Sequence, residues 1–338
     1  MTMNDRPRRI SPVVLLGFLL LCPSTLTAAP SSSNLRVTVT VPPLVWLVSE
    51  VAGPDVDVDH LVRAGEAPET FQPTDHHITG VARSTVLFRV GVASENSPWL
   101  HALEASQRVQ VVDLRLGLPL REMKACLDDH HNPAHHSPSH DRPSHDSPSR
   151  HNHSHSRVVK ARERDENVED RAMDPHTWLS PSRLIIMTRT VARSLAAADP
   201  PRAIRYAERA QKLVARLEAL DAELEQRLAV VQGKTFLVFH PAWGYFAEDY
   251  GLRQQAIEIE GKEPSDQEIT QLVREAQSLK IRTLFVQPQI RSAVPQAVAR
   301  AIGAKVETLD PLAMDLPANL RRTADLLVAA LSPDDGEL

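Results

Sequence analysis

Four residues of this chain carry side chains that bind metal ions, three of them just after strand-like segments and one where order resumes beyond a polar tract. They are Glu69 in GEAPETFQPT, His176 in DPHTWLSP, His240 in FHPAWGYF and Asp310 in LDPL. Two imidazoles and two carboxylates are a sufficient ligand set for a divalent transition metal. None of the four is linked to another by the compact spacing of a local motif, so only the fold can assemble them into one site. A second group is local: His130, His131, His135, His136, His140, His145, His151, His153 and His155 crowd into HHNPAHHSPSHDRPSHDSPSRHNHSH, nine of the fifteen histidines in the chain. Neutral imidazoles are good ligands for zinc, nickel and copper, and they give the metal up as they protonate near or below pH ~6.5.

The segments around these residues read as alternating strands and helices. LRVTVTV, VDVDHLV, TVLFRVGV and RVQVVDL are β-branched and apolar, with helix-like PPLVWLVSEVAG and SPWLHALEA between them. From Thr235 the alternation returns with strands TFLVF, QQAIEI, TLFVQ and KVETL, and helices around WGYFAEDYG, SDQEITQLVREAQSLK and VPQAVARAIG. Such alternation predicts βαβ units and parallel sheets. Between the two runs, Ser180-Pro181 marks a helix start, and Leu213, Leu217, Leu220, Leu224 and Leu228 recur at three or four residues. That stripe predicts one amphipathic helix of roughly 25 to 30 residues, long enough to join two lobes rigidly. VRAGEAPE and EIEGKEPS sit at similar points of the two runs, a weak internal repeat consistent with two lobes of one kind. The expected fold is therefore α/β, two lobes each with a roughly four-stranded, mainly parallel sheet flanked by helices, joined by one long helix. Ligands of open α/β sheets bind at the carboxyl ends of strands, so a cleft between lobes would gather Glu69, His176, His240 and Asp310.

The ends and the middle of the chain are of other kinds. Residues 1–29 carry Arg6, Arg8 and Arg9, an apolar run from Val13 to Cys22, and then TLTAAP, the order of a cleaved secretory signal. Leu21 precedes Cys22, where a lipid-anchored signal would need a small residue, so plain cleavage on export is expected. Cys126 is then the only cysteine and no intramolecular disulfide is available. The formal charge of −5 becomes about −7 on losing the signal, which leaves no basic footprint for nucleic acid or anionic lipid. Residues 126–172 combine low complexity, prolines in consecutive pentads and no apolar face, the composition of a disordered loop. The expected division is 30–125 for the amino-terminal lobe, 126–172 for that loop, 173–199 for the end of the same lobe, 200–232 for the linking helix and 233–338 for the second lobe.

GEAPETFQPT, DPHTWLSP, FHPAWGYFAEDYGL, FVQPQ and LDPLA, in this order and at these distances, resemble the zinc- and manganese-type periplasmic solute-binding proteins of ABC importers. The resemblance covers essentially the whole chain after the signal. It implies a metal held between two α/β lobes, a histidine-rich loop ahead of the second ligand, and a permease as partner. His176 matches the histidine of the family's Pro-His-x-Trp-Leu-Ser-Pro, His240 that of Phe-His-x-x-x-Gly-Tyr-Phe, and Asp310 the acidic position of Leu-Asp-Pro-Leu. At the first position the family usually has histidine after Gly-x-x-Pro, where this chain has Glu69, whose oxygen is still a ligand atom. His76 and His77 in TDHHITG are alternative fillers of that position, although the first turn of a helix is the plainer place for them. Trp178, Trp243 and Tyr245 are expected to pack the lobes.

Hard carboxylate oxygens favour manganese and imidazoles favour zinc; the histidine tract tips the expectation to Zn2+, with Mn2+ as the alternative. The expected function is capture of zinc in the interlobe cleft and delivery to an ABC importer by a monomer that catalyses nothing. A periplasmic zinc buffer or chaperone is the next reading. A metal-dependent hydrolase with Glu69 as general base is the third, against which stands the lack of a His-Glu-x-x-His motif. The tract is expected to gather metal weakly beside the tight site and raise its local concentration.

Overall fold

A computed structural model of the chain describes residues 1, 35–63, 65–123, 173–258 and 265–332. The nine tract histidines, and the signal 1–29 apart from Met1, lie outside the described residues. The amino-terminal sheet is built from β1 (Leu35–Val39), β2 (Val56–His60), β3 (Val86–Arg89) and β4 (Gln110–Asp113), with α1 (Pro43–Ala52), α2 (Asp75–Val81) and α3 (Pro98–Ser106) between them. Its strands are all parallel, in the order β2-β1-β3-β4. After α4 (Pro181–Ala198) and α5 (Ala203–Leu228) the second sheet follows: β5 (Thr235–Val238), α6 (Gly244–Asp249), β6 (Arg253–Ala256), α7 (Asp266–Ser278), β7 (Thr283–Val286), α8 (Val294–Ile302), β8 (Lys305–Thr308) and α9 (Leu316–Leu331). This sheet is also parallel, in the order β6-β5-β7-β8. The two sheets thus share one topology, as the weak sequence repeat implied.

The long helix is α5, 26 residues, and its leucine stripe is buried along its whole length from Leu213 to Leu228. Each of those leucines contributes roughly 1.5–3 kcal/mol of apolar burial. The stripe belongs to one continuous core that takes in Val37 and Val39 of β1 and Phe236 and Val238 of β5, so α5 stitches the two sheets together. The outer face of each sheet has its own smaller core, around Leu87 in the first lobe and around Leu284 in the second. Burial on both faces explains why strands such as TFLV read as apolar runs without alternation. Among the described helices none is long and apolar enough to cross a membrane.

One further helix, α9, follows KVETL, the last segment that strand-and-helix alternation marks out in the sequence. In α9, Leu316, Leu320, Ala324 and Leu327 are buried at helical spacing, and the Asp315 side chain accepts from the Ala318 N–H at its start. It packs on α5 and closes the core of the second lobe.

Polar ties cross from lobe to lobe. Trp178 Nε1 donates to the Pro311 carbonyl at 2.8 Å, Arg183 Nη1 reaches Asp249 Oδ1 at 2.7 Å, and the Tyr245 hydroxyl donates to the Asp174 carbonyl at 2.9 Å. Trp178, Trp243 and Tyr245 are all buried, packing the lobes as expected.

Candidate metal centre

In order β6-β5-β7-β8 the chain leaves β5 for β6 and returns to the other side of β5 with β7, which makes the carboxyl end of β5 the point where the topology switches. His240 lies two residues beyond that strand and is 3% exposed. His176 sits just before a single turn of 3-10 helix, Thr177–Leu179, which runs into α4 capped by the Ser180 hydroxyl. It is 1% exposed. Glu69 arrives from the loop between β2 and α2, and its side chain keeps 17% of its surface open.

These three meet. Glu69 Oε1 lies 3.1 Å from His240 Nε2 and 3.5 Å from His176 Nε2, and the two Nε2 atoms are 3.2 Å apart. A tetrahedral ion with bonds of about 2.0–2.1 Å separates its donors by about 3.3–3.4 Å, so the three atoms already stand at ligand spacing. Among the described residues this is the one group of three or more histidine, cysteine or carboxylate side chains converging within 4.8 Å.

The metal-free electrostatics follow from burial. For His240, burial opposes the charged ring, but the Glu69 charge and the contacts with Glu258 and Glu69 outweigh it and push its pKa up to about 10. His176 is likewise raised, burial being overcome by its bonds to Asp174 and Glu69. Burial alone would raise Glu69, yet the His240 charge and both imidazole contacts hold its carboxyl well below the usual carboxylate range. Without metal, the site is a carboxylate clasped by protonated imidazole.

Asp310 is not in the converging group. Its Oδ1 accepts from Gln289 Nε2 and from the Leu312 N–H, both at 3.0 Å, which folds the turn into α9. β8 is the edge strand, two positions from β5, and two strand spacings of roughly 4.8 Å put residues at its end about 10 Å from those at the end of β5. His76 is exposed and His77 half-buried in the first turn of α2, where His77 Nδ1 accepts from the Thr74 N–H at 3.2 Å, and neither joins the group.

Two further carboxylates, which spacing along the chain did not single out, stand behind the imidazoles. Asp174 Oδ1 is 2.8 Å from His176 Nδ1 and also accepts the His176 N–H at 3.0 Å. Glu258 Oε1 is 3.4 Å from His240 Nδ1, and Glu258 is 5% exposed. The signal that could have found Glu258 is register. Val238 pairs with Ala256 across β5 and β6, so residues two beyond each strand, His240 and Glu258, end up side by side. Asp174 lies next to Arg121, whose Nη1 is 3.7 Å from its Oδ2, and Gly244 leaves the room for that guanidinium, which a methyl group there would strike.

Two parallel α/β sheets spliced by one long helix, with a buried His-His-Glu cluster at the carboxyl end of a strand, define the class of two-lobed solute-binding proteins that take metal ions. Residues 37–330 match the family described as ZnuA, zinc-uptake complex component A, periplasmic, and the chain belongs to that family. A putative metal-binding protein of Treponema pallidum is 28% identical over 302 residues, covering 87% of this chain and 86% of its own. The zinc-binding protein AdcA of Streptococcus pyogenes serotype M3 is 26% identical over 83% of this chain, which spans only 51% of the length of that protein. A crystal structure of ZnuA superposes with a TM-score of 0.71 at 30% identity, covering 88% of this chain and 100% of that one. A ZnuA deletion mutant described as having zinc bound gives the same TM-score at 31% identity, covering 89% of this chain and 99% of that one.

Proposed function

We propose that this protein captures zinc through Glu69, His176 and His240 and delivers it from the periplasm to an ABC-type importer, catalysing nothing itself. The observation that carries the reading is the buried cluster with three donor atoms 3.1–3.5 Å apart. Family membership and the zinc-binding AdcA relatives support the choice of cargo and the periplasmic setting. Asp310 is left out of the proposed ligand set, and water is the natural occupant of a fourth position. The division at 30–125, 126–172, 173–199, 200–232 and 233–338 belongs to the same proposal, as does a cleaved signal over 1–29. Manganese remains the alternative cargo because Glu69 supplies a hard oxygen where imidazole would be softer.

The choice of metal is tested at Glu69. Glu69→Ala is expected to weaken zinc binding about 10- to 100-fold, and Glu69→His to restore or tighten it while moving preference from manganese toward zinc, since nitrogen replaces oxygen. Competition titrations of the full-length variants against a chelator strong enough to strip weak histidine sites read the tight site alone. Equal affinities across wild type and both variants would remove Glu69 from the shell.

Deleting residues 128–156 is expected to leave the tight site and the fold intact and to abolish several weak sites, because none of the three proposed ligands lies in that stretch. Zinc stoichiometry with and without a competing chelator, together with the melting temperature, measures this. Loss of tight binding in the deletion protein would contradict the role assigned to the tract.

A further inference from the structure

A neutral histidine can carry its proton on either ring nitrogen, and only a nitrogen without a proton can bind a metal. In this site both Nε2 atoms face Glu69 and both Nδ1 atoms face away, each toward a buried carboxylate. The two carboxylates come from separate places in the fold. Asp174 precedes His176 by two residues on the same loop, whereas Glu258 is delivered by the neighbouring strand β6, its backbone N–H bonded to the Phe239 carbonyl at 2.8 Å. Asp174 is 1% exposed and Glu258 5% exposed, so water competes little for either contact. The same arrangement is built twice from unrelated segments, and in both it constrains the orientation of an imidazole.

We infer that Asp174 and Glu258 are positioning residues of the metal site: each accepts the Nδ1 proton of one imidazole, Asp174 from His176 and Glu258 from His240, so that both Nε2 lone pairs are presented together with the Glu69 carboxylate to one cation. The inference rests on the proposed ligand role of Glu69, His176 and His240. A metal must displace the Nε2 proton of the charged His240 ring, which faces Glu69 Oε1 3.1 Å away; Glu258 then holds the one remaining proton on Nδ1, whereas without Glu258 that proton is free to sit on Nε2 in the metal's place. A carboxylate behind a metal-bound imidazole fixes the tautomer and raises the basicity of the ligating nitrogen, and its loss costs about 10- to 100-fold in affinity.

Glu258 is the better of the two to test. Asp174 also holds the His176 backbone N–H and faces Arg121, so its removal disturbs more than a ring. In the full chain, with a competing chelator to silence the tract, Glu258→Ala is expected to bind zinc at the tight site about 10- to 100-fold more weakly. Glu258→Gln keeps a carbonyl oxygen that accepts the Nδ1 proton and is expected to recover most of that loss. Both should bind one zinc, and a side chain that merely filled space would not distinguish an acceptor from none once melting temperatures of the metal-free proteins are matched. An Ala variant as tight as wild type overturns the inference, and so does a Gln variant as weak as the Ala one. His240→Ala in the same titration separates the two claims: if wild type holds no zinc that this variant loses, the ligand reading itself has fallen, whatever Glu258 does.

Discussion

Replacing His240 by alanine is expected to weaken tight zinc binding by about 50- to 1000-fold. Structural zinc sites are worth roughly 10–16 kcal/mol across four ligands, so one donor carries about 2.5–4 kcal/mol, and every 1.4 kcal/mol is a factor of ten. His240 is 3% exposed, so water reaching the place of its ring would meet a buried carboxylate, Glu258, stripped of its partner. His176→Ala should behave alike, with Asp174 left in the same position. His140→Ala, in the tract, should leave the tight site unchanged. Chelator competition on the four proteins gives the affinities, and circular dichroism shows whether the alanine variants still fold. Two folded variants with wild-type affinity would sink the proposed site.

Zinc binding should also release protons and tighten steeply with pH. The metal needs Nε2 of His240 unprotonated, but in the metal-free chain the ring is held charged up to about pH 10 from an ordinary value of 6.5. Below that value each pH unit should change the apparent affinity about tenfold per proton displaced, or roughly 100-fold between pH 6 and 8. The raised pKa of His176 adds to the slope. Calorimetry at pH 7 in buffers of different ionisation enthalpy should give between one and two protons released per tight zinc, and a value near zero would contradict the paired imidazoles described above. The sign for folding is opposite. A pKa raised on folding stabilises the metal-free protein, fully below pH about 6.5, and that contribution is lost as pH rises toward 10. The melting temperature of the metal-free protein should therefore fall over that window while zinc affinity rises.

Much of this molecule is legible in its sequence because the signals are local. Strand runs bounded by turn residues, proline at helix starts and a leucine every three or four positions from Leu213 to Leu228 depend on nothing distant, and all reappear as β1 to β8 and α5. α9 carries the same kind of signal in Leu316, Leu320 and Leu327 and is readable by the same rule. The residue types in the loops are local too, which is why Glu69, His176 and His240 are recognisable as candidate donors from the order of residues along the chain.

Which of them meet was decided by the tertiary structure alone. A sequence holds the order of strands along the chain but not their order across a sheet, and the latter put β6 beside β5 and β8 two places away. The pairing of β6 with β5 brought Glu258 behind His240, while Asp310 is held by Gln289 and the Leu312 N–H in the turn that leads to α9. Tautomers and charges were equally out of reach, since they are set by what faces each ring nitrogen at about 3 Å, and those neighbours are 18 residues from His240 in one direction and more than 170 in the other. The chain's own order determines which donors exist and which loops carry them. The distance between donors on loops joined by a 26-residue helix and two sheets is a property of packing, because only packing chooses among the many ways such loops can approach.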